Sequence, residues 1–268
     1  MRQTSEQLVR LVWDMHELNP EWGRRHIALV SGALGTFLAA STVRNILLRP
    51  KPRPEGTPVA AAGKAEEKQP RQVVARYPNH VWSVDRTRVW RWRIWPTWVL
   101  VAIDHFSRKV VACCPLEGPN SGWVVEALEQ AFLRHGAPKH LISDQESIFI
   151  TDALQELLIP WDVKHRLGAV GKHGSIAVTE RLIWTLKHAW LARVVLIRGL
   201  DHLGDLLADF EQYYNEHRCH QHLGGATPAM VYQGQTWQKP DRSAKQMPGQ
   251  IRLRHFREQR ITVYELAA

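Results

Sequence analysis

The sequence predicts an α/β protein, a mixed sheet flanked by helices and preceded by a small helical module. Three observations carry this. Helical periodicity runs from about Ser5 to Arg49, three alternating β-branched runs follow one another after Asn79, and strand-like and helix-like segments then alternate to about His217. A chain of 268 residues can hold one core of about 100–200 residues and a smaller module beside it.

In the first region Leu8, Leu11, Val12 and Met15 recur at helical spacing. Asn19-Pro20 is the pattern of a cap and a first-position proline, opening a second helix with Ile27, Ala28 and Val30. Gly32 to Gly35 forms a turn, and Ser41 or Thr42 starts a third helix through Leu48. Three short helices with a glycine turn before the last resemble a helix-turn-helix module. Arg44 and Asn45 are then expected to be exposed toward a DNA groove; a plain helical bundle accounts for the same pattern. Arg49 to Arg76 holds five prolines, seven basic and three acidic residues, and no apolar periodicity, which suits an extended spacer or a track along phosphates.

Beyond it, Val81–Val89, Thr97–Ile103 and Lys109–Cys114 read as an antiparallel meander. Ser121–His135 is an amphipathic helix closed by Gly136, His140–Ser143 a short buried strand, Thr151–Leu158 a helix and Trp161–His165 a strand. A long helix is expected over Ser175–Val195 and another over Asp201–His217. Ile251–Phe256 and Ile261–Leu266 read as two strands around a polar turn.

Lys and Arg total 35 against 26 acidic residues, a net charge of +9 that suits a polyanionic partner, nucleic acid above all; a basic enzyme without one fits equally. Three cysteines cannot make a disulfide framework, and Cys113 and Cys114 should point to opposite faces of a strand as packing residues. No signal-peptide pattern opens the chain, and runs such as Trp98–Ile103 fall far short of a membrane span. A cytoplasmic protein with no membrane partner is expected.

Three carboxylates stand out. Asp85 lies inside a β-branched strand, where a charge is costly unless it faces solvent or binds something. Asp144 ends a strand, the end at which open α/β sheets bind ligands. Glu180 lies near the start of the long helix, where the helix dipole favours an anion. Each alone has a bland account as an edge charge, a turn residue or a solvated helix residue.

Together they resemble the D, D-35-E pattern of transposases and retroviral integrases, with 35 residues between Asp144 and Glu180. Val81 to Thr87 is similar to the family's first motif, and Ile142-Ser143-Asp144 followed by Phe149 to its second. Gly171 to Ser175, Thr179-Glu180-Arg181 and Thr185-Leu186-Lys187 are similar to its third. Tyr214 to Arg218, Leu223-Gly224-Gly225 and Thr227-Pro228 resemble the segment closing the core in bacterial insertion-sequence transposases. Trp22-Gly23 and Ser41 to Arg44 resemble the preceding helix-turn-helix.

The resemblance covers about residues 5–235 and implies an RNase H-like catalytic core. It implies two Mg²⁺ or Mn²⁺ ions per site, with Asp85 bridging both and Asp144 and Glu180 each holding one. It also implies double-stranded DNA as substrate, both transposon ends and target, and a homo-multimer acting on it in the bacterial cytoplasm at the nucleoid. The expected organisation is 1–49 helix-turn-helix module, 50–76 basic Pro-rich linker, 77–235 catalytic core and 236–268 an extension with a β-hairpin. On the long helix Glu180, Trp184 and Lys187 share a face, which puts Lys187 near DNA phosphate and lets Trp184 stack on a base or pack on a loop.

Asp104 is expected to stabilise its own turn, and the His217, Cys219, His220, His222 cluster lacks zinc spacing. Trp90, Trp92, Trp95 and Trp98 interleave with Arg88, Arg91 and Arg93; such a run binds nucleic acid or forms a hairpin with a half-buried face. Two departures stand against the pattern. Glu146 replaces the usual glycine and is expected to strain its loop or add a competing carboxylate, and Cys219 replaces a proline. The chain also begins close to its helical module, where many relatives carry a further DNA-binding module, so a shortened copy or a separate DNA-binding partner protein is expected. A decayed or repurposed DNA-binding protein, and a nuclease that never joins, are the alternatives.

Overall fold

The computed structural model describes residues 5–48, 74–168, 177–235, 237 and 250–266. The chain divides into two compact units, Met1–Glu67 with His217–Ala268, and Lys68–Glu216.

The second unit is built on a five-stranded sheet. Its strands are β1 (Val81–Arg91), β2 (Trp95–Asp104), β3 (Val110–Leu116), β4 (His140–Ser143) and β5 (Lys164–Leu167), in the order β3-β2-β1-β4-β5. β1, β2 and β3 pair antiparallel, while β4 and β5 run parallel to β1. Alternation along the strands sorts side chains to two faces. Trp82, Val84, Leu100 and Ala102 pack with Val124, Leu128 and Phe132 of α4 (Ser121–His135) and with Leu154 and Leu158 of α5 (Asp152–Leu158). Each such fully buried Leu or Phe contributes about 1.5–3 kcal/mol. The other face, with Val99, Val101 and Ile103, is covered by α6 (Ala177–Trp184) and α7 (Leu200–Gln212).

Local chemistry fixes the ends of these elements. The Asn120 side chain caps α4 by accepting from the Trp123 N–H, and Gly136 closes it at φ 79°. Thr151 caps α5 in the same way. Asn215 holds β3 from a distance, accepting from the Val110 N–H at 2.8 Å and donating to its carbonyl at 2.9 Å.

Two expectations need correction. The strand expected over Trp161–His165 begins three residues later, because Asp162 turns the chain at φ 50°. The single long helix is also interrupted: α6 ends at Trp184, and Thr185–Trp190 continues as a π-helix, which changes the phase of everything after it. The residues 169–176 before α6, with the glycine-rich part of the third motif, lie outside the described residues.

The first unit holds α1 (Glu6–Leu18), α2 (Arg24–Ala33), α3 (Ala40–Leu48), the short α8 (Pro228–Tyr232) and the hairpin strands β6 (Ile251–Phe256) and β7 (Ile261–Leu266). Leu8, Val12, Met15, Ile27, Val30, Val43 and Ile46 form its core together with Cys219. Asn19-Pro20 does not open α2, which starts at Arg24 behind Gly23. Asn19 instead caps the C-terminus of α1 and is fully buried. Its side chain donates to the Thr262 carbonyl and accepts from the Thr262 N–H, so a strand 243 residues away claimed the group that looked like a local cap. Those bonds, and the Trp22–Tyr264 ring contact, tie the hairpin to the N-terminal helices. Of the expected linker, residues 49–73 lie outside the described residues.

Candidate active site

β1 and β4 pair in parallel register, Trp82 with Leu141 and Ser83 with Ile142. Extending that register by two residues brings Asp85 level with Asp144, the residue that follows β4; paired strands lie about 4.8 Å apart. Asp85 shares a face with Ser83, two residues before it, and Ser83 identifies which face that is. Its hydroxyl lies 2.5 Å from Thr179 Oγ1 on α6 and 2.8 Å from His105 Nε2. Thr179 immediately precedes Glu180, so the Ser83–Thr179 bond pins the start of α6 to the face that carries Asp85. His105 is buried, which depresses its pKa to about 4, with Arg108 adding to the effect; it is a neutral partner in this chain of bonds.

The electrostatics register the convergence. The Asp85 carboxyl is pushed up to about 6, first by burial and then by the charges of Asp144, Glu146 and Glu180, against one opposing hydrogen bond from the Arg86 N–H. Asp144 is also raised, by burial and by Glu146, while the Glu146 N–H and Arg86 act in the other direction. Glu180 is exposed at the edge of the group. Among the described residues no three His, Cys, Asp or Glu side chains are drawn together tightly enough to hold an ion. The acids therefore face one another across a shared edge without a closed ligand set.

Glu146 does not strain its loop. Its backbone is extended, at φ −66° and ψ 138°, a conformation open to any residue. Its carboxylate pairs with the Arg86 guanidinium at 2.5 Å, and its N–H donates to Asp144 Oδ1 at 3.1 Å. It does add negative charge beside Asp85 and Asp144. Arg86, which the sequence reading passed over, lies on the opposite face of β1 from Asp85, over the Trp98 ring at 4.1 Å. Its signal was available: a cation following Asp85 in the strand, and a glutamate where a glycine is usual.

The remaining candidates separate. Trp184 is half exposed, with Arg181 over its ring at 5.6 Å and His188 beside it at 5.3 Å. Lys187 falls in the π-helical turn and lines a groove with Arg88, Trp90 and Arg93 of the β1–β2 hairpin. Arg44 is half-buried and Asn45 exposed on α3, in the other unit. Asp104 is fully buried and bonded to its turn, accepting from the Ser107 N–H and hydroxyl and from the Asn79 N–H.

Residues 75–173 match the integrase core domain family, and residues 161–228 match a second family of the same description. InsK of insertion sequence element IS150 in Escherichia coli (strain K12), a provisionally assigned transposase, is 27% identical over 169 residues, covering 62% of this chain and 59% of that one. InsO of insertion sequence element IS911B, from the same strain and similarly assigned, is 35% identical over 68 residues, covering 25% and 34%. The chain thus spans about three fifths and one third of these two relatives. A chain in the cryo-EM structure of the simian T-cell lymphotropic virus intasome in complex with PP2A regulatory subunit B56 gamma is similar in fold, with a TM-score of 0.54 at 16% identity, covering 93% of this chain and 84% of that one. The sheet is therefore an RNase H-like mixed sheet.

Proposed function

We propose, from the premise that residues 75–228 make this chain a member of the integrase-core family of insertion-sequence transposases, that it cuts DNA at the ends of a mobile element and joins them to a target. One observation carries the reading: Asp85 on β1 and Asp144 just past the end of the neighbouring parallel strand β4 converge, with Asp144 and Glu180 both close enough to act on the Asp85 charge.

The donor set suits Mg²⁺ or Mn²⁺, which take carboxylate oxygens and complete their shells with water and substrate phosphate. The acids also repel one another, and a bound cation offsets that repulsion. Asp85, Asp144 and Glu180 would hold the metal; two ions so held supply stabilisation of the attacking and leaving oxygens of an in-line displacement at phosphorus. The residues around them position the acids. Ser83 and Thr179 hold α6 on β1, and Arg86 through Glu146 holds the loop after Asp144. Water is the first nucleophile and the freed 3′-hydroxyl the second, so no side chain forms a bond to the DNA. Lys187 and Trp184 contact the bound strand beside the acids, through phosphate and base respectively.

The three N-terminal helices supply end recognition as a helix-turn-helix, with Arg44 and Asn45 facing the groove. Joining two ends calls for at least two protomers on the DNA, and a separate DNA-binding protein remains a compatible partner. No described helix is long and apolar enough to cross a membrane; work on nucleoid DNA in the bacterial cytoplasm follows from the proposed substrate.

A specific observation favours a second reading, an end-binding protein that does not cut: Glu146 adds a fourth carboxylate beside the three. Cleavage and strand transfer with the element's own terminal repeats, in Mg²⁺ and Mn²⁺, separates the two. Metal-dependent joined product that Asp144→Asn abolishes is expected; binding without product in the unmutated chain would establish the second reading.

A further inference from the structure

The tip of the β1–β2 hairpin carries side chains that neither the core nor the acid edge uses. Trp90, Trp92 and Trp95 are 51%, 49% and 60% exposed, against the expectation of a half-buried hairpin face; only Trp98 packs down, under Arg86 and Arg88. The Ile94 N–H donates to the Arg91 carbonyl, closing a turn whose two central residues, Trp92 and Arg93, have φ of 50° and 61°. Turns of this kind select Asn-Gly, because a side chain at positive φ is strained. A tryptophan and an arginine held there, with their side chains in water, point to a use other than folding.

The surroundings say what that use is. Residues 88–98 contain three arginines and no acid. Arg88, Trp90 and Arg93 line one wall of an open groove of about 390 Å³, and Lys187 with the chain up to Ile197 forms the other. The Trp92 N–H donates to the Ile197 carbonyl at 2.9 Å, fixing the two walls together. The groove begins at Arg88, three residues along β1 from Asp85, which is about 10 Å at strand rise. Exposed tryptophans interleaved with cations, beside a phosphodiester-cutting edge, match a strand of DNA whose bases are unstacked. The indoles offer faces for bases, and the arginines and Lys187 neutralise phosphates. A protein partner for the same apolar surface would be expected to meet a rim of mixed charge, and the charged residues that line this groove, Arg88, Arg93 and Lys187, are all cations.

We propose that the β1–β2 hairpin tip is a stacking platform for unpaired nucleotides of the DNA, flanking the bond to be cut. This rests on the reading of the protein as a DNA transposase but is tested without catalysis. The full chain is titrated, in EDTA, against dye-labelled duplexes of arbitrary sequence that are blunt or carry a short single-stranded extension, and binding is followed by anisotropy. Stacking of one base is worth on the order of tenfold in affinity, so the extended duplex should bind about tenfold more tightly. Trp90→Ala, Trp92→Ala and Trp95→Ala should together remove that preference and leave blunt-duplex affinity unchanged, while the three Trp→Phe changes should keep most of it. Equal affinity of the unmutated chain for the two probes overturns the proposal, as does equal loss by the Phe and Ala variants. A preserved preference in a chain that never joins DNA upholds the platform and fails the transposase reading; normal joining without the preference does the reverse.

Discussion

Asp85 and Asp104 sit on neighbouring antiparallel strands, the first partly and the second fully buried, both with a carboxyl raised above the usual range chiefly by burial, yet the two regions are built for opposite ends. The turn after β2 surrounds Asp104 with donors: the Ser107 N–H and hydroxyl on one oxygen, the Asn79 N–H on the other. The edge between β1 and β4 gives Asp85 one donor, the Arg86 N–H, and three carboxylates that work against its charge. A satisfied buried acid stabilises a fold, whereas an acid buried among other acids costs stability until a cation arrives. Protein sites for cations are of the second kind, and the contrast can be broken at several points.

The largest effect should come from the acid edge itself. Asp144→Asn should lower joining by more than about a hundredfold, since even groups that only orient metal ligands are worth about 10–100-fold. The companion measurement is thermal denaturation: Mg²⁺ should raise the melting temperature of the unmutated chain and not of this variant. An equal rise in both would remove Asp144 from the site.

Next comes stability, where the two aspartates should move in opposite directions. Asp104→Ala leaves two buried donors and one partly buried donor without their acceptor and should cost about 3 kcal/mol. Asp85→Asn should stabilise the metal-free chain. With its folded pKa near 6, above its unfolded value, the protonated Asp85 favours folding below about pH 4, and that contribution is lost as the pH rises through 6. At pH 8 the variant should therefore gain up to about 3 kcal/mol, at 1.36 kcal/mol per pKa unit, and at pH 3.5 almost nothing. Denaturant melts of the two variants at both pH values decide this; a loss for Asp85→Asn at pH 8 would make it a structural acid like Asp104.

The same titration should appear in the reaction. Cations compete with the proton on Asp85, so the Mg²⁺ concentration needed for half-maximal joining should climb as the pH falls below about 6. A flat requirement between pH 5 and 8 would detach Asp85 from the metal.

The smallest effect belongs to the Arg86–Glu146 pair, which is partly open to solvent. Glu146→Gln loosens the loop after Asp144 but removes a repulsive charge from Asp85 and Asp144, so the two consequences oppose each other. Joining should change by less than about tenfold, in keeping with the small worth of exposed pairs, and a joining assay over a Mg²⁺ series would show the requirement falling. An increase in rate of a hundredfold would mean that Glu146 holds the site shut.

Much of this was legible in the residues. Alternation in Val81–Val89 and Thr97–Ile103, the Asn120 and Gly136 signals around α4, and the ordered motifs around Asp85, Asp144 and Glu180 depend on neighbours within a few positions, and local chemistry decides them. What the sequence determined about this protein was therefore the kind and order of its elements and the identity of its acids. Tertiary structure decided which groups meet. Asn19 looked like a helix cap and became the anchor of β7, because a buried amide takes the best-placed backbone partners whatever their distance along the chain. Glu146 looked like a strained intruder and proved relaxed, because Arg86 reaches it across the β1–β4 edge. The three carboxylates could be listed from their spacing; that the Asp85 carboxyl is pushed up to about 6 follows only from burial and proximity, which no spacing in the chain encodes.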